Sequence, residues 1–326
     1  MLRVAMLGAG RVGQVHTRSV SEHQEAELAL VCDPVEAAAS ALGTKWGARW
    51  SLDVEDAFSD PSIDAVIIGT PTNTHIEMLE RAVAADKKIL LEKPIDLDLP
   101  AIDAAWSRIR AKAPFVMLGF VRRFDPSFAE IAGRVAAGEI GTVRALRITS
   151  RDPQPPPAAY LAVSGGMFKD MTIHDFDMAR FLLGEEPTEV FAVGSVLVDP
   201  AIAGVPDIDS AAVTLRTASG KMCQINNSRR ATYGYDQRIE VHGAKGRLMA
   251  GNLTPTTVEL ANGDAVSADK PLYFFLERYA EAYKAELAAF LAALKGKKRM
   301  PVSADDGRMA LVLAEAALHS LKTKEA

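Results

Sequence analysis

The tightest constraint on this chain is a run of six residues, Gly8-Ala9-Gly10-Arg11-Val12-Gly13, directly after the short apolar stretch Leu2–Leu7. A G-x-G-x-x-G triplet alone arises by chance in turns. Here it closes a candidate buried strand, opens a candidate helix over 11–22, and stands 20 residues (13 to 33) before Asp33. That acid ends a second apolar run, Leu28–Cys32. Together these features are the fingerprint of a strand–turn–helix unit that holds a dinucleotide. The glycines allow the tight turn and let a pyrophosphate approach the N–H groups at the helix start, so Gly8, Gly10, Arg11, Val12 and Gly13 are expected at the cofactor. Asp33 would accept both ribose hydroxyls of adenosine and repel a 2′-phosphate, and Pro34 offers no cation to offset that, which favours NAD over NADP. The structural alternative is a plain glycine turn with Asp33 capping the next helix.

The same rhythm continues. Apolar runs at 64–69, 88–91 and 115–119 alternate with helical patterns at 35–46, 74–85 and 99–112. Strand and helix at this pace imply a doubly wound parallel sheet, here the Rossmann half of an α/β protein. Thr70-Pro71-Thr72-Asn73-Thr74-His75 and Glu92-Lys93-Pro94 follow two of these strands, at the edge where such sheets bind ligands. Thr70, Pro71, Thr72, Asn73, His75, Glu92 and Lys93 therefore join the candidate cofactor set, although His75 could merely begin a helix that Asn73 or Thr74 caps. After Gly119 the pattern changes. A helix over 126–137 leads to strand candidates at 143–150, 188–198, 209–217, 221–229, 236–242 and 254–260, a largely antiparallel set. The loop 151–163 contains three consecutive prolines and is expected to lack regular structure. Two helices, 273–295 and 304–322, close the chain.

One stretch inside this second half carries chemistry. In Ser164–Arg180, SGGMFKDMTIHDFDMAR, a continuous helix would stack Asp170, His174 and Asp177 on one face, at i, i+4 and i+7. A titratable stripe on an otherwise apolar helix is costly unless it faces a cavity that uses it. A histidine one turn from a carboxylate reads as a general base for a hydroxyl; packing of a core histidine is the plain alternative. A divalent metal on the same three side chains is the other option, but no cysteine or further histidine is placed to complete a dehydrogenase zinc site, so no metal is expected. A net charge of −5 argues against nucleic acid or an anionic membrane as partner. Cys32 and Cys223 form no CxxC pair, which suits a reducing compartment, and no apolar run is long enough to span a bilayer. The cytoplasm is the expected location.

Gly8-x-Gly10-x-x-Gly13, Glu92-Lys93-Pro94 and Gly165-Gly-x-x-x-Asp170-x-x-x-His174 together resemble the Gfo/Idh/MocA oxidoreductases over essentially the whole chain. The segments 150–153, 165–187 and 228–243 are most similar to members that oxidise inositol at carbon 2. The resemblance implies a Rossmann domain at 1–119 and a substrate-binding and oligomerisation domain at 120–303 with an open antiparallel sheet. The last helix would return to the first domain. It further implies a homotetramer, NAD as hydride acceptor, a small polyol substrate such as myo-inositol, and Lys93, Asp170 and His174 as the catalytic set. A polyol needs several polar partners; the candidates are Arg123, Asp152, Thr172, Asp177, Tyr233 and Tyr235. If the segment around Gly234 is extended, only one of the two tyrosines can face the substrate.

Overall fold

The computed structural model describes residues 1–204 and 206–325. The chain divides into two units, Met1–Phe124 with Glu281–Leu311, and Asp125–Ala280 with Val312–Ala326.

In the first unit the apolar runs become strands β1 (Leu2–Leu7), β2 (Ala26–Cys32), β3 (Arg49–Ser51), β4 (Ala65–Ile68), β5 (Lys88–Glu92) and β6 (Val116–Gly119). Helices α1 (Arg11–Ser21), α2 (Glu36–Trp46), α3 (Glu55–Ser59), α4 (His75–Ala84) and α5 (Leu99–Ile109) run between them. The sheet is parallel throughout, in the order β3-β2-β1-β4-β5-β6. This is the doubly wound order whose direction reverses between β1 and β4. Val4–Leu7 and Ala65–Ile68 are wholly buried, as strands covered by helices on both faces must be. Register fixes where the functional loops emerge: Leu7 lies opposite both Cys32 and Ile68, Ile68 opposite Leu91, and Leu91 opposite Leu118. Gly8, Asp33, Gly69 and Lys93 therefore leave the sheet along one carboxyl edge. β3 and α3 are additions to the sequence-based expectation; at three and five residues they are too short to show a periodicity.

The second unit opens with α6 (Pro126–Ala136), whose Asp125 cap accepts from the N–H groups of Ser127 and Phe128. Then come β7 (Val143–Arg151), α7 (Ala158–Leu161), α8 (Ile173–Leu183), β8 (Pro187–Ser195), β9 (Ser210–Thr217), β10 (Met222–Ser228), β11 (Asp236–Gly243) and β12 (Arg247–Ala250). The sheet order is β12-β11-β7-β10-β9-β8; only β7 and β10 pair in parallel, and the rest is antiparallel. A separate hairpin joins β13 (Glu259–Ala261) and β14 (Val266–Ala268), so most of the expected strand 254–260 is not paired. The proline loop is not wholly irregular either. Pro157 pre-sets the first turn of α7, its carbonyl accepting from Tyr160 and Leu161.

The final helices are α9 (Phe275–Arg278), α10 (Ala280–Leu294) and α11 (Ala304–Thr323). The expected single helix 273–295 is interrupted at Tyr279, which leaves helical geometry at φ −108°, ψ 15°. Within the first unit, Arg308 at the start of α11 pairs with Asp103, and Gly307 sits so close to Ile95 and Leu118 that a Cβ would stand 3.0–3.1 Å from them. Within the second unit, Ser320 near its end accepts from the Ala192 N–H. Among the described residues no helix is long and apolar enough to cross a membrane.

Candidate active site

The glycine turn fits a dinucleotide for reasons specific to each glycine. Gly8 has φ +97°, and a Cβ there would stand 2.6 Å from the Gly69 carbonyl oxygen. A Cβ at Gly13 would stand 2.0 Å from the Gly8 oxygen. These two let the turn close on β4 and on α1. Gly10 is different: it is exposed, and nothing lies within 4 Å of its Cβ position. The first turn of α1 carries no acidic residue and no side-chain cap, which suits its N–H groups and dipole to an anion. Arg11 is exposed and Val12 half-buried beside it. At the end of β2, Asp33 Oδ2 accepts from Ala9 N at 2.7 Å and Oδ1 from Val35 N at 2.8 Å. Each oxygen keeps a second lone pair for a ribose hydroxyl. The residues present thus fit NAD.

His75 begins α4, the plainer of the two roles its position allowed. It is buried, with Nδ1 2.7 Å from the Pro94 carbonyl and Nε2 2.9 Å from the Thr70 carbonyl. Burial pushes its pKa down, and the ring ties the loop after β4 to the turn after β5. In that loop Pro71 and Asn73 are exposed and Thr70 and Thr72 half-buried; Thr74 Oγ1 donates to Thr70 Oγ1. Glu92 also turns inward, 8% exposed, with Oε1 2.7 Å from His16 Nε2 and Oε2 accepting from Lys93 N at 3.3 Å. Lys93 itself is half-buried and precedes a cis bond to Pro94. Arg123 is buried, donating to the Pro301 carbonyl and pairing with Asp306 at 2.9 Å; Asp125 pairs with Arg278.

In the second unit the central stretch is not one α-helix from 164. Gly165 and Gly166 have φ +82° and +85°, and residues Phe168–Thr172 form a π turn before α8 starts at Ile173. The extra residue in that turn breaks the straight i, i+4, i+7 stack, and such turns recur at functional sites. Asp170 lies in the π turn, accepting from Tyr160 Oη at 2.8 Å and facing Arg229 Nη1 at 3.5 Å. His174 is half-buried in the first turn of α8, whereas Asp177 is buried. Thr172 is buried and donates to Asn227 Oδ1 at 2.8 Å. Asn227 Nδ2 in turn donates to Asp175 Oδ2 at 2.7 Å and to the Ser150 carbonyl. One side chain on β10 thereby joins the π turn, α8 and β7. Beside it, Arg229 is 1% exposed and also reaches Asp207 at 3.2 Å. Neither Asn227 nor Arg229 announces itself in the sequence, where they are two letters of a polar strand end.

The remaining candidates lie around that strand end. Asp152 is half-buried, its backbone N–H donating to the Ser228 carbonyl. Gly234 has φ +130°, so residues 233–235 are not extended. Tyr235 is buried, its ring edge-on to Tyr279 at 6.0 Å between centroids. Tyr233 is 39% exposed; its hydroxyl accepts from Arg151 and donates to Asp236 at 2.5 Å.

A dinucleotide cradle on a doubly wound sheet, followed in the chain by a mixed-sheet unit with a titratable π turn, defines an NAD-dependent oxidoreductase. The profile described as the oxidoreductase family with an NAD-binding Rossmann fold matches residues 2–120, and that of the GFO/IDH/MocA C-terminal domain matches 128–249. The chain therefore belongs to the Gfo/Idh/MocA oxidoreductase family. It is 48% identical over 324 residues to inositol 2-dehydrogenase of Rhizobium meliloti strain 1021, covering 99% of this chain and 98% of that one. The structure of a myo-inositol dehydrogenase from Corynebacterium glutamicum is 46% identical with a TM-score of 0.96, covering 100% and 98% of the two chains. The scyllo-inositol dehydrogenase of Lactobacillus casei, solved with bound NAD(H) and scyllo-inositol, is 28% identical with a TM-score of 0.90 over 100% and 98%.

Proposed function

We propose that this chain oxidises myo-inositol at carbon 2 to the 2-keto compound, with NAD as acceptor. The observation that carries the proposal is near-complete coverage at 48% identity with a protein named inositol 2-dehydrogenase, together with Lys93, Asp170 and His174 in place. Bound NAD supplies the hydride acceptor. Gly8, Gly10, Arg11, Val12, Gly13 and Asp33 would hold its adenosine and pyrophosphate, with Thr70 and Thr72 further along the same sheet edge. His174 takes the hydroxyl proton. Asp170, fixed by Tyr160 and Arg229, stabilises the imidazolium that results. Lys93 stabilises the developing alkoxide, a preorganised cation being worth a few kcal/mol of barrier. Asp152, Asp177 and Tyr233 would meet the other ring hydroxyls, with Arg123, Thr172 and Tyr235 supporting them from buried positions.

The domains assigned from the sequence, 1–119 for NAD and 120–303 for substrate and assembly, belong to the same reading, as does a cytoplasmic homotetramer. Phe191, Val193, Met222 and Met249 on the second unit's strands are 41–62% exposed, which supports packing of that sheet against another copy. Light scattering on the purified protein tests the assembly.

The deciding experiment follows NADH absorbance over inositol isomers and aldoses. The expected result is turnover with myo-inositol well above the aldoses. A second reading is a dehydrogenase of another cyclic polyol or of a pyranose sugar, which the Lactobacillus casei relative motivates; preference for scyllo-inositol or an aldose would favour it. Tight NAD binding with no turnover on any polyol would point to a non-catalytic regulator.

A further inference from the structure

Behind Lys93 lies a cluster that the mechanism above leaves unused. Ligand-type atoms of His16 on α1, Glu92 on β5 and Glu286 on α10 all lie within 4.8 Å of one another, and all three residues are buried. Glu286 is 0% exposed, and neither of its oxygens has a hydrogen-bond partner among the described residues. It falls on the apolar stripe of α10, where Tyr283, Leu287 and Phe290 are also buried. Tyr283 sets its ring edge-on to His16 at 5.3 Å. Among the described residues, His16 and Glu92 are the titratable groups within 4.8 Å of Glu286, with Tyr283 one turn before it on α10.

A metal would neutralise two carboxylates, but the spacing argues against one. His16 Nε2 and Glu92 Oε1 stand 2.7 Å apart, a hydrogen bond, whereas two ligands of one small divalent cation are about 3.0–3.4 Å apart. A second buried carboxylate whose oxygens accept no hydrogen bond is costly to keep ionised, and a proton is the cheaper remedy. Glu92, by contrast, has work to do. It accepts from His16 and from Lys93 N, and glycine at 119 leaves its carboxyl room, since a Cβ there would stand 3.1 Å from Glu92 Cδ.

We propose that Glu286 is a positioning residue for the reaction: an uncharged carboxylic acid packed behind Glu92 that, with His16, holds the turn carrying Lys93 in place. This rests on the reading of Lys93 as the group that stabilises the alkoxide. Ionising Glu286 would set two negative charges side by side and push Glu92 off the Lys93 amide. Burial, and then the Glu92 charge, hold the Glu286 carboxyl well above the usual range. The folded protein therefore keeps a proton that the unfolded chain has already released, and stability falls as pH rises through that interval.

The test compares Glu286→Ala and Glu286→Gln with the wild-type holoenzyme. The alanine variant should lose about 10- to 100-fold in kcat through misplacement of Lys93, with NAD affinity unchanged. Glutamine, uncharged and of the same shape, should rescue most of that loss. The Tm of the wild type should decline relative to the glutamine variant as pH rises above the ordinary glutamate range. Unchanged kcat in the alanine variant, parallel Tm–pH curves, or one equivalent of divalent metal retained by the wild type and absent from the glutamine variant would each overturn the proposal. If the alanine variant does not fold, an alkaline limb of kcat present in the wild type and absent in the glutamine variant supports it, and identical limbs overturn it. Normal turnover in Lys93→Ala would remove the reading of Lys93, and the proposal with it, while leaving the Tm comparison as a separate record of the buried acid.

Discussion

Lys93 and His174 have separable tasks, so their variants should fail differently. Replacing His174 with alanine removes the proton acceptor and should cost about 10²–10⁴-fold in kcat. The loss should shrink at alkaline pH, where hydroxide takes over. Replacing Lys93 should cost about 10²–10³-fold without that recovery, because the alkoxide loses its preorganised cation at every pH. Both should still bind NAD by fluorescence titration, and near-normal turnover in either would remove that residue from the mechanism. Asp33→Ala tests the cofactor assignment. Losing acceptors for two hydroxyls should weaken NAD by about 10- to 100-fold and narrow the gap to NADP. Unchanged NAD affinity would mean that the ribose is read elsewhere. Arg229 supports the same site from within the second unit. Its buried guanidinium faces Asp170 and Asp207, and deleting it leaves both acids without that countercharge. Arg229→Ala should cost about 3–5 kcal/mol in a urea unfolding curve.

At the scale of elements, the glycine turn separates fold from function within six residues. Gly13→Ala drives a methyl to within 2.0 Å of the Gly8 oxygen and should lower stability by about 1–3 kcal/mol or more. Gly10→Ala meets nothing within 4 Å, so its Tm should stay at the wild-type value while NAD binding weakens, the methyl standing where the pyrophosphate would approach. Equal effects of the two on Tm would contradict this division. Both glycines, Asp33 and the strand-end position of Lys93 are legible in the sequence, because a parallel strand buried on two faces writes itself as an apolar run and the turn chemistry follows at once. The central stretch is less legible. Its residues suit a helix, but the turn widens at 168–172 and is tied at both ends from outside: Asn227 takes Thr172, and Asp207 Oδ1 takes the Met167 N–H. Such pairings join residues 40 to 55 positions apart, and no local period records them. Glu286 leaves a faint trace, as the one acid on the buried face of an alanine-rich helix.

For the molecule as a whole, buried acids of opposite tendency should shape how stability depends on pH. Burial opposes ionisation of Asp209 and Asp306, yet both lie below the usual carboxylate range. Asp209 accepts the N–H groups of Leu197, Val198 and Asp199, while Asp306 faces Arg123 and accepts from Ser303. Their folded pKa values are depressed, so the stability they contribute is present above the unfolded carboxylate value and lost as pH falls through the folded one. Glu286 has the reverse sign and erodes stability on the other side. The two cysteines add nothing in between: both are free and buried, and burial pushes the Cys32 thiol up to about 12. A Tm scan from acid to alkali should therefore trace a dome. Asp209→Asn should lower the neutral plateau and flatten the acid limb alone, and Glu286→Gln the alkaline limb alone. If either substitution shifts both limbs together, the two carboxylates belong to one cooperative network and the independent assignment of their protons fails.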